Sequence, residues 1–160
     1  MIKLINKRKT ATKADTTLTL PLQSRIKSRL RVVLDNGEDA GLFLERGTTL
    51  KDGDLLMTED GYQVEVKAAD ETVSIIRSDD PHLLSRACYH LGNRHVSIQI
   101  EPHSVSYLHD HVLDDMLRGF GLFVEVTEAA FEPEPGAYGG SADKAHSHSH
   151  HHGHEHAHQH

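Results

Sequence analysis

Between Thr16 and Val66 apolar residues recur in short alternating runs: Thr17-Leu-Thr-Leu-Pro-Leu22, Arg29-Leu-Arg-Val-Val-Leu34, Gly41-Leu-Phe-Leu44, Asp54-Leu-Leu-Met57 and Tyr62-Gln-Val-Glu-Val66. A period of two places alternate side chains on opposite faces of a strand. Asp35-Asn36-Gly37, Lys51-Asp52-Gly53-Asp54 and Glu59-Asp60-Gly61 separate the runs where the backbone must reverse tightly. This half predicts an all-β module, and its Gly47–Asp54 loop needs no ligand to explain it.

After Glu71 the period changes. Thr72–Arg77 predicts a strand, and Asp80 followed by Pro81 predicts a helix start. Leu84, Ala87, Cys88 and Leu91 recur at helical spacing, with Gly92 as the expected stop. Val96, Ile98 and Ile100 alternate, which predicts a strand with His95, Ser97 and Gln99 directed to its other face. Ser104–Leu108 predicts a further strand after the Pro102-His103 turn. A second helix is expected from near Asp110, its apolar stripe formed by Val112, Leu113, Met116, Leu117 and Phe120, with Gly121 ending it. Leu122–Val126 is the last expected strand. The order β-α-β-β-α-β is that of a ferredoxin-like domain, with two helices on one face of an antiparallel sheet.

The expected fold class is therefore α+β: an N-terminal β domain over residues 1–70, a ferredoxin-like domain over 71–132, and a Pro/Gly linker with a His-rich tail over 133–160. The tail lacks the apolar groups that would offset its ordering entropy, so disorder is expected without metal.

That tail indicates the class of ligand. Nine of its last fifteen positions are histidine: His146, His148, His150, His151, His152, His154, His156, His158 and His160. Neutral imidazole is the commonest side-chain metal ligand. The interspersed Ser, Gly, Ala, Gln and Glu distinguish the run from a uniform purification tag. His154-Glu155-His156-Ala157-His158 formally matches a zinc-protease pattern, but that chemistry needs a buried helix, which a low-complexity tail does not supply.

Charge and composition narrow the function further. A formal net charge of -7 disfavours nucleic acid, whose phosphates require a basic surface. The single cysteine, Cys88, allows no disulfide framework and no cysteine-based zinc site, and its helical spacing makes it a packing residue. The basic N-terminus has no apolar stretch after it, and no segment approaches a membrane span, so a cytoplasmic protein is expected. No glycine stretch resembles a phosphate-binding loop.

Six further histidines lie before the tail. His82 and His103 fall in a first helical turn and a loop, where solvated roles are the ordinary outcome. His90 lies near a helix end, where it can interact with the last carbonyls. His95 is more informative. It follows the Gly92-Asn93-Arg94 connection and would meet its own copy if it lay near a two-fold axis, so that one position supplies two ligands; a polar residue at a strand edge is the other reading. His109-Asp110-His111 can chelate only if His109 lies outside the helix, because i and i+2 diverge by about 200° on a helix.

These motifs together resemble the urease accessory protein UreE family of nickel metallochaperones. The resemblance rests on Tyr89-His-Leu-Gly-Asn-Arg-His95 with Gln99-Ile100, on Leu108-His-Asp-His111 leading into Leu113-Asp-Asp-Met-Leu117, on Phe131-Glu-Pro-Glu-Pro-Gly-Ala-Tyr138, and on the terminal histidines. Arg29-Leu-Arg31 and Leu50-Lys-Asp-Gly-Asp54 also resemble the family's first domain. The resemblance implies an N-terminal domain for partner or peptide binding and a metal-binding C-terminal domain. It further implies a homodimer with His95 as the shared interfacial ligand, and His109 and His111 as peripheral ligands. The implied function is delivery of Ni(II) to apo-urease with the other accessory proteins, particularly the GTPase UreG, and without enzymatic activity.

Zn(II) and Cu(II) suit the same imidazoles, so nickel specificity does not follow from ligand type. A histidine-rich nickel or zinc storage protein is the alternative function, and a metal-dependent hydrolase a third, disfavoured by the lack of a carboxylate base beside a ligand cluster. In each case metal binding should weaken as imidazoles protonate, at about pH 6 to 7.

Overall fold

The computed structural model describes residues 1–8 and 13–136. The N-terminal part contains β1 (Ile2–Leu4), β2 (Asn6–Arg8), β3 (Thr16–Leu20), the short helix α1 (Leu22–Arg25), β4 (Arg29–Val33), β5 (Asp39–Phe43), β6 (Leu55–Met57) and β7 (Gln63–Ala68). Two sheets result, ordered β1-β5-β4 and β2-β6-β7-β3. The alternating apolar residues of both converge on one core that includes Leu4, Leu18, Val32, Leu42, Leu56 and Val66. Gly37 and Gly61 occupy left-handed turns, with φ of 92° and 90°, where a side chain would be strained. β1, β2 and α1, each three or four residues long, add to the elements that the alternation predicts.

The second part runs β8 (Asp70–Arg77), α2 (Pro81–Asn93), β9 (Gln99–Glu101), β10 (Ser104–Leu108), α3 (His111–Gly119) and β11 (Val124–Ala130). The expected β-α-β-β-α-β order is present, and the antiparallel sheet is ordered β11-β8-β10-β9. Val105 of β10 and Val124 of β11 both pair with Ile76 of β8, so all three share a face. Leu84, Ala87 and Leu91 of α2 and Leu117 of α3 pack onto that face in one core. The chain is thus α+β, as expected.

Asp80 caps α2 through bonds from the His82 and Leu83 amides, with Pro81 in the first turn, and Asp110 caps α3 through the Val112 and Leu113 amides. The apolar stripe of α3 needs correction. Val112 is 62% exposed, whereas Asp114 is 1% exposed and takes a place on the inward face beside Leu117. The last strand begins two residues later than expected and extends to Ala130, because it follows β8 along Asp70–Ile76.

The two parts meet at Arg25, which is buried. Its Nε donates to the Leu20 carbonyl at 3.1 Å and its Nη1 to Leu50 at 3.4 Å. Nη2 donates to the Phe131 carbonyl just beyond β11, and Glu132 lies 3.7 Å from the guanidinium. Beyond this clamp the chain turns along Ile98 and Gln99: the Glu132 amide donates to Gln99 Oε1 at 2.9 Å and the Glu134 amide to the Ile98 carbonyl at 2.7 Å. The expected linker and the tail histidines His146, His148, His150, His151, His152, His154, His156, His158 and His160 lie outside the described residues beyond Gly136.

Candidate metal centre

His95 does not start a strand. The expected strand from Val96 is reduced to β9, and Gly92 does not stop α2, which continues through Asn93. The helix is ended by a turn in which the His95 amide donates to the Gly92 carbonyl at 3.0 Å and the Val96 amide to Leu91 at 3.1 Å. This is a Schellman turn, and it requires a left-handed residue just past the cap. His95 is that residue, with φ of 58°, and among the described residues it is the only non-glycine with positive φ. Val96 packs into the core beside Leu91, the apolar contact that accompanies the motif.

The end of α3 is built the same way. The Gly121 amide donates to Arg118 at 2.9 Å and the Leu122 amide to Leu117 at 3.2 Å. There the left-handed position holds glycine, with φ of 85°. Two equivalent turns thus carry the residue that suits the geometry in one case and an exposed histidine in the other. Left-handed geometry costs an L-residue about 1–2 kcal/mol, and such strain concentrates at functional positions.

His109 lies outside α3, as chelation by the 109/111 pair requires. Its amide donates to the Thr72 carbonyl at 3.0 Å, extending the β10–β8 ladder by one residue. The period of two then puts its side chain on the face of Val105 and Tyr107, against α3. Its Nδ1 lies 3.0 Å from Asp114 Oδ2 and 3.1 Å from Ser74 Oγ. Tyr107, fully buried, donates its hydroxyl to Asp114 Oδ1 at 2.6 Å. Burial first, and then the Asp114 bond and charge, push the Tyr107 phenol well above its ordinary range, so it keeps the proton it donates. His111 is exposed at the first position of α3.

The remaining histidines have ordinary settings. His90 stacks on Phe120 with ring centroids 4.6 Å apart, and His82 and His103 are exposed. Cys88 is half-buried beside the second core, where burial raises its thiol pKa and keeps it protonated. Among the described residues no three His, Cys, Asp or Glu side chains come together in a group that could hold a metal ion. None of their helices is long and apolar enough to cross a membrane.

Fold and site together define a two-part α+β protein that displays single imidazoles at its surface. Residues 2–69 match the family described as UreE urease accessory protein, N-terminal domain, and residues 71–160 match its C-terminal domain. The Urease accessory protein UreE of Aliivibrio fischeri (strain MJ11) is 56% identical over 133 residues, covering 83% of this chain and 82% of its own. The proteins of that name from Proteus mirabilis (strain HI4320) and Pseudomonas putida (strain W619) are 59% and 63% identical, each covering at least 76% of both chains. The chain belongs to the UreE urease accessory protein family. Its relatives carry the name of an accessory protein and not of an enzyme.

Proposed function

We propose that this protein is a metallochaperone that carries Ni(II) to apo-urease while the urease active site is assembled. His95 from two copies of the chain forms the transferable site, and the tail histidines collect the ion. The carrying observation is the presentation of His95, an exposed imidazole held on a hydrogen-bonded turn at a position better suited to glycine. One such histidine binds a divalent ion weakly, whereas two brought together by a two-fold axis double the ligand count without a second motif.

The absence of a ready-made metal group among the described residues of one chain fits a carrier, because a closed four-ligand site releases its ion reluctantly. The anchoring of Glu134 at the Ile98 carbonyl sets the root of the tail near the His95 turn. The twelve residues from there to His146 span up to roughly 40 Å when extended, enough for tail imidazoles to reach His95. Nickel is the cargo, Zn(II) and Cu(II) compete for the same ligands, and selectivity comes from supply and partners. Those partners are apo-urease and the GTPase UreG, the setting is the cytoplasm, and the protein itself performs no catalysis. His109 and His111 act as peripheral ligands.

Urease activation at limiting nickel tests this reading. His95→Ala should abolish activation while the protein still binds nickel through its tail, and deletion of residues 146–160 should leave most activation intact. If His95→Ala activates urease normally, and truncation removes nearly all nickel binding with an activation defect that added nickel fully restores, the protein stores nickel and does not deliver it.

A further inference from the structure

His109 is supported by a buried arrangement that an exposed surface ligand does not need. Asp114 is 1% exposed, yet no apolar residue replaces it on the inward face of α3. Its two oxygens are divided: Oδ1 accepts from the Tyr107 hydroxyl at 2.6 Å, and Oδ2 faces His109 Nδ1 at 3.0 Å. Ser74 adds its hydroxyl beside both the Tyr107 phenol and His109 Nδ1. A carboxylate at that distance repels the lone pair of an unprotonated nitrogen and attracts an N–H, so in the neutral ring the proton belongs on Nδ1. The ring's other nitrogen, Nε2, then holds its lone pair free on a side chain that is 37% exposed.

We propose that Asp114, itself oriented by Tyr107, is a positioning residue that locks His109 in the Nδ1–H tautomer and so commits Nε2 to the metal. This rests on the reading of His109 as a peripheral ligand. The ring is held in one orientation, its ligating nitrogen is defined, and the carboxylate behind it supports the ring as carboxylate–histidine pairs do in metal sites. His111, exposed at the start of α3, is not held in this way, so the two histidines of the pair are unequal: His109 is the anchored ligand and His111 the adaptable one.

The test uses the full-length protein, ¹⁵N-labelled, with the His109 ring signals assigned by comparison with His109→Ala. In the metal-free wild type, long-range ¹H–¹⁵N spectra should show His109 with a protonated Nδ1 and an unprotonated Nε2; the opposite tautomer overturns the proposal without any substitution at the buried site. Asp114→Ala should release the ring to the Nε2–H form and raise the Ni(II) concentration needed to broaden its signals by about 10–100-fold. Tyr107→Phe, which leaves the carboxylate in place, should keep the Nδ1–H tautomer. If Ni(II) broadens His109 equally in the wild type and Asp114→Ala, positioning is refuted while the ligand reading stands. If Ni(II) never reaches His109 in the wild type, the ligand reading fails, and the proposal with it, whichever tautomer is found.

Discussion

Replacing His95 with glycine should make the metal-free protein more stable while removing its central ligand. The left-handed geometry at φ of 58° is imposed by two turn bonds, from the His95 and Val96 amides, that close α2. Relief of left-handed strain contributes about 1–2 kcal/mol, and glycine's greater freedom in the unfolded chain removes about 0.4–1 kcal/mol of that. The net gain is about 1 kcal/mol, which for a chain of 160 residues corresponds to a rise in Tm of about 2–4 °C. His95→Ala keeps the Cβ and should gain nothing. At the matching turn of α3 the mirror change, Gly121→Ala, should lose about 1 kcal/mol; a Cβ there meets no atom within 4 Å, so the loss is purely conformational. Urea unfolding with a chelator present is the assay, since bound metal would stabilise the wild type by mass action. A glycine variant no more stable than wild type, or no more stable than the alanine variant, would refute the argument that His95 is held at a conformational cost.

Two further outcomes follow from buried or bonded charges. Arg25→Ala leaves the Leu50 and Phe131 carbonyls without a donor, while Leu20 keeps the Ala69 amide, and should destabilise the protein by about 2–5 kcal/mol in denaturant titrations. Partial burial raises the Asp35 pKa, but the Thr17 and Thr19 hydroxyls and the Thr19 amide outweigh it and hold the carboxyl below its ordinary value of 3.8. A depressed carboxyl stabilises the fold fully above that ordinary value, and the contribution fades as pH falls through the lower folded value. The stability difference between wild type and Asp35→Asn should therefore be constant near neutrality and vanish under strongly acidic conditions, as read by urea unfolding across pH.

Much of the architecture was readable because local signals and tertiary packing agree. Asp80-Pro81 and Asp110 mark helix starts by capping chemistry that depends only on neighbouring amides. The alternation from Leu18 to Val66 matches a core in which each strand buries one face. The misreadings have specific causes. Val96 and Ile98 do pack into the second core, so their alternation is real, but β9 pairs with β10 only from Gln99 to Glu101, and alternation cannot reveal where a ladder ends. Glycine usually fills the left-handed position that ends a helix, so Gly92 signals a stop along the chain; here a histidine three residues later fills that position. Along the chain Asp114, a carboxylate between Leu113 and Leu117, reads as a solvated residue; Tyr107 and His109 supply its partners only in the fold.

The amino-acid sequence by itself determined the α+β class, the starts of the two long helices, the two apolar cores and the imidazole character of the chemistry, because each depends on residue type and spacing along the chain. The left-handed presentation of His95, the burial of Asp114 behind His109 and the Arg25 clamp were decided only on folding. Each joins groups that are distant in sequence or differ from their usual roles, and their energies exist only once the strands and helices have brought them within hydrogen-bonding distance.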